Sequence, residues 1–462
     1  MTASNLIASM EDHALERVPD AERKNWLAIA WNTTGLVTTL VILFFGAVVC
    51  FVAGVRIALA AGACAFVIGS LLGWALARIA YDTGCSNTLM TREYGLGVRG
   101  SALASLIFGF LIVGFLAVEN GLLYRGFVFF LAVDDVWASR IWIYGGMTLA
   151  WILLTAFGFA LVTRVSSLML TGFLLVLVWM AFVVVRDSGG ADGAALLFGS
   201  QLDPVTLSGM GVETTWDKFV FSLNILIGPS CALALNTADF GRYGKSTAHV
   251  AVAAGIAIFF QSLLIMLVGG VLMHSAAPAM TDFYIASAGM TPEQAGAQVL
   301  RSPDSIAATF IVFGGLTGFV LMLLAQAKAQ VLNTYSSSLC IANLFDALFR
   351  WRPGRVFFVI VANAIALAML YGHILEFVEA WIKLLGVLLS ALAGIIIMDY
   401  YVVRPALEQA GDQPVGESVN WAGVATLAIA ILCAHVLLRP YFELEVVTSL
   451  ACVGIFYPLL RL

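Results

Sequence analysis

Residues 28–54 read AIAWNTTGLVTTLVILFFGAVVCFVAG, an apolar run of membrane-spanning length with Asn32, Thr33, Thr34 and Gly35 set into its first half. A helix in hydrocarbon must satisfy its own backbone, so an interruption of this kind is tolerated only where it lines a cavity or is buried in protein. A second one, Gly228-Pro229-Ser230, lies inside the apolar run of residues 217–237, where Pro229 removes a helical hydrogen bond.

Apolar stretches able to cross a hydrocarbon core of ~30 Å recur on either side of these two. They fall near residues 28–54, 57–79, 100–131, 141–162, 165–185 and 217–237, then near 247–273, 305–334, 355–371, 376–402, 420–438 and 443–460. The interruptions thus occupy spans 1 and 6, corresponding members of two five-helix halves. Paired interruptions at equivalent places point to an inverted-repeat transporter with a binding site near the bilayer midplane. The pattern predicts an all-α integral membrane protein of twelve transmembrane helices. Two inverted five-helix repeats (spans 1–5 and 6–10) are followed by two further helices, with spans 1 and 6 broken. The expected organisation is a cytoplasmic N-terminal tail over 1–27, repeats over 28–185 and 217–402 separated by an external loop over 186–216, and spans 11 and 12 within 403–462.

Composition agrees. Of 462 residues, 61% are hydrophobic and 11% charged, too few charges to cover a water-soluble globule of this size. Mean hydropathy is +0.98. The net charge of −5 gives no basic footprint for nucleic acid, so the expected partners are the lipid bilayer and a small solute. The seven cysteines mostly lie in apolar runs without C-x-x-C spacing, which suggests neither a disulfide frame nor a metal site. The first 25 residues are polar and of mixed charge, unlike a cleavable signal peptide, so the first span would act as its own insertion signal. With the N-terminus inside, 14 Lys and Arg fall in cytoplasmic segments and 7 in outer ones. That asymmetry predicts a bacterial inner-membrane protein with both termini cytoplasmic. Polar insertions at 186–216 and 274–304 then face outward, as loops carrying short helices.

Two charges lie deep in apolar sequence: Glu119 in LIVGFLAVENG and Lys328 in MLLAQAKAQVLN. A charge near the bilayer centre is costly enough to be read first as functional. The plainer readings are an interfacial Glu119 paired with Arg125, and a Lys328 that snorkels to the cytoplasmic edge. Gln326 and Gln330 flank Lys328, which favours a polar seam. Trp31, beside the first interruption, is a candidate substrate contact. Trp26, Trp137, Trp142 and Trp216 sit near helix ends and read as interfacial anchors. A membrane enzyme would need convergent catalytic or metal-binding groups. The five histidines are scattered, and the nearest cluster, His373 with Glu376 and Glu379, reads as a solvated turn. A sensor on a transporter scaffold would carry an appended soluble domain, and none is visible.

Six motifs, in order, resemble the nucleobase–cation symporter-1 family of cytosine permeases, hydantoin transporters and fungal purine permeases. They are VPDAERKNWL (18–27), MTREYGLGVRGSALASL (90–106), LNTADFGRYGK (235–245), YSSSLCIANLF (335–345), IIIMDYYVVR (395–404) and SVNWAG (418–423). The resemblance covers nearly the whole chain. It implies a substrate that is a small planar heterocycle or ureide, bound between spans 1, 3, 6, 8 and 10. The family's aromatic and amide positions on span 3 fall on Phe115 and Glu119. A carboxylate only accepts hydrogen bonds, where the amide it replaces also donates. Glu119 should therefore favour a donor edge, as in an amidine, guanidine or amino-heterocycle. The family's aromatic on span 6 falls near Pro229 and Ser230, so one wall of the stacking clamp is missing. The substrate-side position on span 1 is Thr39.

In sodium-coupled members, two adjacent hydroxyl residues of span 8 serve the ion. By alignment they fall here on Lys328 and Ala329, with Gly35, Thr38 and Ala325 as the implied carbonyl donors. An ammonium in that position would repel sodium and act as a tethered cation. Burial favours a neutral lysine, so Lys328 would be a proton carrier if it gives up its proton, and would give sodium-independent uniport or exchange if it does not. The sequence thus predicts a secondary transporter for a small nitrogen-rich solute, without cofactor or metal and without sodium coupling. A sodium-coupled nucleobase or ureide symporter is the alternative.

Overall fold

Twelve helical spans run through the chain, of which the computed structural model describes residues 15–156, 159–187, 195–301, 304–372, 374–411 and 416–462. Span 1 is split into α1 (Trp26–Val37) and α2 (Leu40–Ala53). Then follow α3 (Val55–Thr83), the short α4 (Asn87–Glu93), α5 (Ser101–Leu131), α6 (Trp137–Ala156) and α7 (Phe159–Asp187). These complete spans 2 to 5. The short α8 (Pro204–Gly209) leads to α9 (Thr215–Gly241), which is span 6. Span 7 is α10 (Thr247–Phe259) and α11 (Met266–Ala288), joined by a π-helical turn over Phe260–Ile265. After α12 (Pro292–Arg301) come α13 (Asp304–Phe349), α14 (Arg355–Tyr371) and α15 (Val378–Met398), spans 8 to 10. Span 10 continues through a second π turn into α16 (Arg404–Gln409), and α17 (Trp421–Leu432) and α18 (Glu445–Arg461) are spans 11 and 12. Among the described residues, seven helices are long and apolar enough to cross a bilayer unaided, eight with the bent pair of span 1 counted as one. The shorter or less apolar α6, α14, α17 and α18 complete the twelve.

Three expectations shift. Span 1 does break, with a bend of 64°, but at Thr38–Thr39 and not at Asn32–Gly35. The polar residues of α1 bond back into their own helix: Asn32 Nδ2 to Ala28 O at 2.8 Å, Thr33 Oγ1 to Ile29 O at 3.1 Å and Thr38 Oγ1 to Thr34 O at 3.1 Å. Such bonding removes the reason to unwind there. Span 6 holds Pro229 within one continuous helix, so its interruption is a lost N–H···O bond to the Ile225 carbonyl and not a separation into two pieces. Of the two insertions, 274–304 is mostly helix, since α11 runs on to Ala288 and α12 follows. Span 8 likewise continues to Phe349, with a kink at Gly315, where φ is +50°.

The packing carries the inverted repeat. Span 6 lies along span 2, span 1 along span 7, and span 3 along span 8. Exchanging the halves turns the first pairing into the second and leaves the third unchanged. Small residues allow the close crossings. A Cβ added at Gly46 of α2 would fall 2.3 Å from Met266 O, and one at Gly269 of α11 would fall 2.1 Å from Leu43 O. Spans 1 and 7 therefore touch backbone to backbone.

Candidate substrate site

Phe115 and Glu119 lie one turn apart on α5, and that spacing puts both on one buried cavity where α1, α2, α9 and α13 meet α5. The cavity holds about 30 Å³, roughly one water. Pro229 forms part of its wall, and Asn236, Gln261 and Asn333 share its polar lining with Glu119. Glu119 is 1% exposed. One of its oxygens accepts from Asn333 Nδ2 at 3.2 Å. Thr39 stands beside the carboxylate but outside hydrogen-bond geometry, its hydroxyl buried and unpartnered.

Lys328 reaches from α13 to the break in span 1 and is fully buried. A helix end leaves carbonyls without intrahelical donors, and Thr38 caps α1. The Lys328 ammonium donates to Thr38 O and, at 2.9 Å, to Ala325 O. It lies 4.2 Å from the centre of the Phe173 ring, a cation–π distance. Lys328 and Glu119 do not bond to each other: the carboxylate bonds to Asn333 and the amine to carbonyls. Gly35 does not join them. It is packed inside α1, where an added Cβ would fall 2.9 Å from Ser166 Oγ.

The other expected residues lie around this centre. Gln330 Nε2 donates to Leu116 O at 2.8 Å and to Asn120 Oδ1 at 2.7 Å, and Gln326 Nε2 to Glu119 O at 3.2 Å. The polar seam is thus the contact between spans 3 and 8. Ser230 turns its hydroxyl to Leu226 O and Ser262 Oγ, each at 2.9 Å, and accepts from Gln261 Nε2 at 3.1 Å. It supports the cavity through Gln261. Trp31 is not among the cavity residues, and its indole N–H donates to Ser167 O at 3.2 Å. The ion pair expected between Glu119 and Arg125 does not form, because Arg125 bonds to Asp135 at 3.2 Å. No cluster of three or more His, Cys, Asp or Glu suited to a metal is found among the described residues. His373, and the side chains of Glu376 and Glu379, lie outside them.

Trp381, on span 10, carries no mark in the sequence that sets it apart. Its ring meets Phe115 edge-on at 5.1 Å and 72° and lies 6.4 Å from Phe110. It rests against Gly114, where an added Cβ would fall 2.2 Å from Cζ2. The indole N–H is buried with no partner. Trp381 also lines a wide vestibule of about 880 Å³ with Phe110, Lys383, His435, Arg439 and Glu445. One aromatic ring therefore stands between the vestibule and Phe115.

A family model described as permease for cytosine/purines, uracil, thiamine, allantoin matches residues 55–456. The chain belongs to that permease family. The permease is 23% identical over 430 residues to a cytosine permease of Escherichia coli (strain K12), covering 90% of this chain and 87% of that one. Its fold matches that of Mhp1, a nucleobase-cation-symport-1 family transporter in a closed conformation with bromovinylhydantoin bound. The TM-score is 0.68, with 17% identity over 98% of this chain and 95% of that chain. A Na⁺-coupled sialic acid symporter in a substrate-bound outward-open state matches with a TM-score of 0.60 and 13% identity, covering 98% and 92%. The permease is a multi-pass integral membrane protein and a secondary transporter of the nucleobase–cation symporter class, not an enzyme.

Proposed function

We propose that the permease imports a small nitrogen-rich solute, a nucleobase-like heterocycle or an amidine- or guanidine-type compound, by alternating access and without sodium. The observation that carries the reading is Glu119 facing the closed cavity beside Phe115. The carboxylate takes a donor edge of the substrate, and Phe115 stacks on its face. Asn236 Oδ1 accepts from Ser336 Oγ at 3.2 Å, so its amide N–H₂ remains to meet an acceptor on the same ring. Asn333 spends one N–H on Glu119 and keeps its carbonyl for a second donor. An edge that presents donors next to an acceptor, as an amino-heterocycle does, suits this set.

Lys328 is the tethered cation that makes sodium unnecessary. It donates to Thr38 O and Ala325 O, two of the three carbonyls that the family resemblance assigns to the ion. The permease lies in the bacterial inner membrane with both termini cytoplasmic, the orientation that the Lys and Arg asymmetry supports.

Uptake of radiolabelled cytosine, a hydantoin and a guanidine compound into proteoliposomes, with and without a sodium gradient, tests the reading. Saturable uptake of one of them that ignores sodium is expected, and uptake that needs sodium sinks the role of Lys328. An imposed pH gradient distinguishes a Lys328 that carries protons from one that stays protonated and supports exchange only. Ligand-induced thermal stabilisation without any uptake would identify a sensor in place of a transporter.

A further inference from the structure

Far from the substrate site, a pocket of about 530 Å³ is lined by Arg92, Arg99, Asp346, Arg350 and Arg352, with Gly416 and Ser418 closing one side. Its walls come from three segments: the connection between spans 2 and 3, the end of span 8 with the start of the next connection, and the stretch leading into span 11. The first two belong to opposite halves of the permease. Backbone bonds hold the third segment to the first, with Val98 N donating to Glu417 O at 2.9 Å and Arg99 N to Ser418 O at 2.7 Å.

Among the described residues the charges do not cancel. Asp346 is buried and holds two guanidiniums, Arg92 at 2.7 Å and Arg352 at 2.6 Å. Arg92 Nε also donates to Asn343 Oδ1 at 2.7 Å, which fixes the fork. Of the other acids nearby, Glu417 is taken by Arg461 at 2.6 Å, and Glu16 acts on Arg352. Arg99 and Arg350 line the same pocket and form no ion pair among the described residues. Arg350 holds the left-handed backbone of a helix end, with φ +53°, where glycine is the usual residue. An arginine at that position projects its charge at the point where span 8 stops.

We propose that this pocket binds the phosphate of an anionic phospholipid headgroup, held by Arg99 and Arg350 and oriented by the Asp346-fixed pair. Arginine forks suit phosphate oxygens, and basic pockets among spans at the cytoplasmic face take anionic headgroups. The choice of lipid over soluble phosphate rests on the adjoining surface. Phe349 and Trp351, 67% and 46% exposed, flank Arg350 in sequence; an exposed tryptophan suits the headgroup level, and an exposed phenylalanine beside it suits the adjoining apolar region. The ligand would tie the 2–3 connection of one half to span 8 of the other. Anionic lipid would therefore stabilise the conformation in which these segments are close.

The test uses the full-length permease in detergent, titrated with phosphatidylglycerol, phosphatidylcholine or inorganic phosphate. Native mass spectrometry reads the lipid retained, and the unfolding midpoint reads the stabilisation. Phosphatidylglycerol should bind about tenfold or more tightly than phosphatidylcholine and raise the midpoint, while inorganic phosphate does neither. The variant Arg99→Gln with Arg350→Gln breaks no ion pair of the fold and should lose most of that preference. Lys245→Gln, a charge assigned to the same face but outside the pocket, should keep it. Equal binding of the two lipids overturns the proposal, as does a preference that survives in the double variant or falls equally with Lys245→Gln. Stabilisation by inorganic phosphate matching that by phosphatidylglycerol overturns the lipid assignment in favour of a soluble anion.

Discussion

The ammonium of Lys328 takes carbonyls from both sides of the site, Thr38 O where span 1 breaks and Ala325 O one turn back on its own helix. Removing it would leave the Thr38 carbonyl, freed by the break in span 1, without a donor, at about 1–3 kcal/mol, while Ala325 O keeps its own helix's N–H. Lys328→Ala should therefore lose uptake and thermal stability together. Lys328→Thr with Ala329→Ser restores the paired hydroxyls that sodium-coupled relatives are expected to use, and should convert uptake to one that requires sodium, measured in proteoliposomes with and without the ion. At Glu119 the expected change is in affinity. Glu119→Gln replaces a charged acceptor by an amide, and a lost charge-assisted hydrogen bond of ~1.5–3 kcal/mol raises KM about 10- to 100-fold. The preference should shift toward substrates with fewer donors. Both residues were legible in the sequence because a charge set inside an apolar run is too costly to keep without a use. Their partners were less so. Thr38 and Ala325 were expected as carbonyl donors, yet Gly35 was expected with them, and a carbonyl's direction depends on backbone dihedrals at the break that no residue type specifies. Asn333, which bonds to Glu119, lies five residues beyond Lys328 in the same polar stretch and carried no signal beyond its polarity.

At the level of single helices, the sequence showed that span 1 is interrupted but placed the interruption a few residues too early. Asn32 and Thr33 look like breakers by residue type, but their side chains bond to the helix's own carbonyls. Span 10 illustrates the converse. Its apolar run announces a membrane helix, and nothing in the run marks Trp381 as different from the interfacial tryptophans. Only the fold brings its ring to Phe115 with the N–H unpartnered. Span 6 offers Pro229 and Ser230 where the second wall of a clamp was expected, and Trp381 supplies an aromatic from another helix. Trp381→Phe keeps a ring at Phe115 and removes the N–H, whereas Trp381→Ala removes both. If the ring covers the substrate site, Trp381→Ala should weaken substrate binding about 3- to 10-fold and expose the site to the vestibule. With Asn236→Cys added to that background, the thiol would then react with an impermeant maleimide. Trp381→Phe should keep the same thiol protected. Equal labelling in both variants would mean that the ring does not separate the two cavities.

The molecule as a whole encloses about 30 Å³ at the centre beside a vestibule of about 880 Å³. A heterocyclic substrate needs more than the space of one water, so binding requires some helices to separate while others stay together. The glycine crossings mark the part that stays. With Met266 O and Leu43 O only 2.3 Å and 2.1 Å from where side chains would begin at Gly46 and Gly269, spans 1 and 7 cannot take even one extra carbon without moving apart. Overpacking a contact of this kind costs about 1–3 kcal/mol. Gly269→Leu should therefore lower the unfolding midpoint in detergent by several degrees and reduce uptake with it. Gly145→Leu on span 4 is the control, since a Cβ there meets nothing within 4 Å and glycine carries no advantage on a lipid-facing surface. The comparison also bears on movement. If spans 1 and 7 slide on each other during transport, Gly269→Ala would slow uptake by more than its loss of stability accounts for, because the extra carbon would obstruct the sliding as well as strain the crossing. If they move as one body, stability and rate fall in proportion across Ala and Leu. The backbone contact at both glycines favours the second result, and with it a cycle in which the separation falls between span 10, carrying Trp381, and span 3, carrying Phe115.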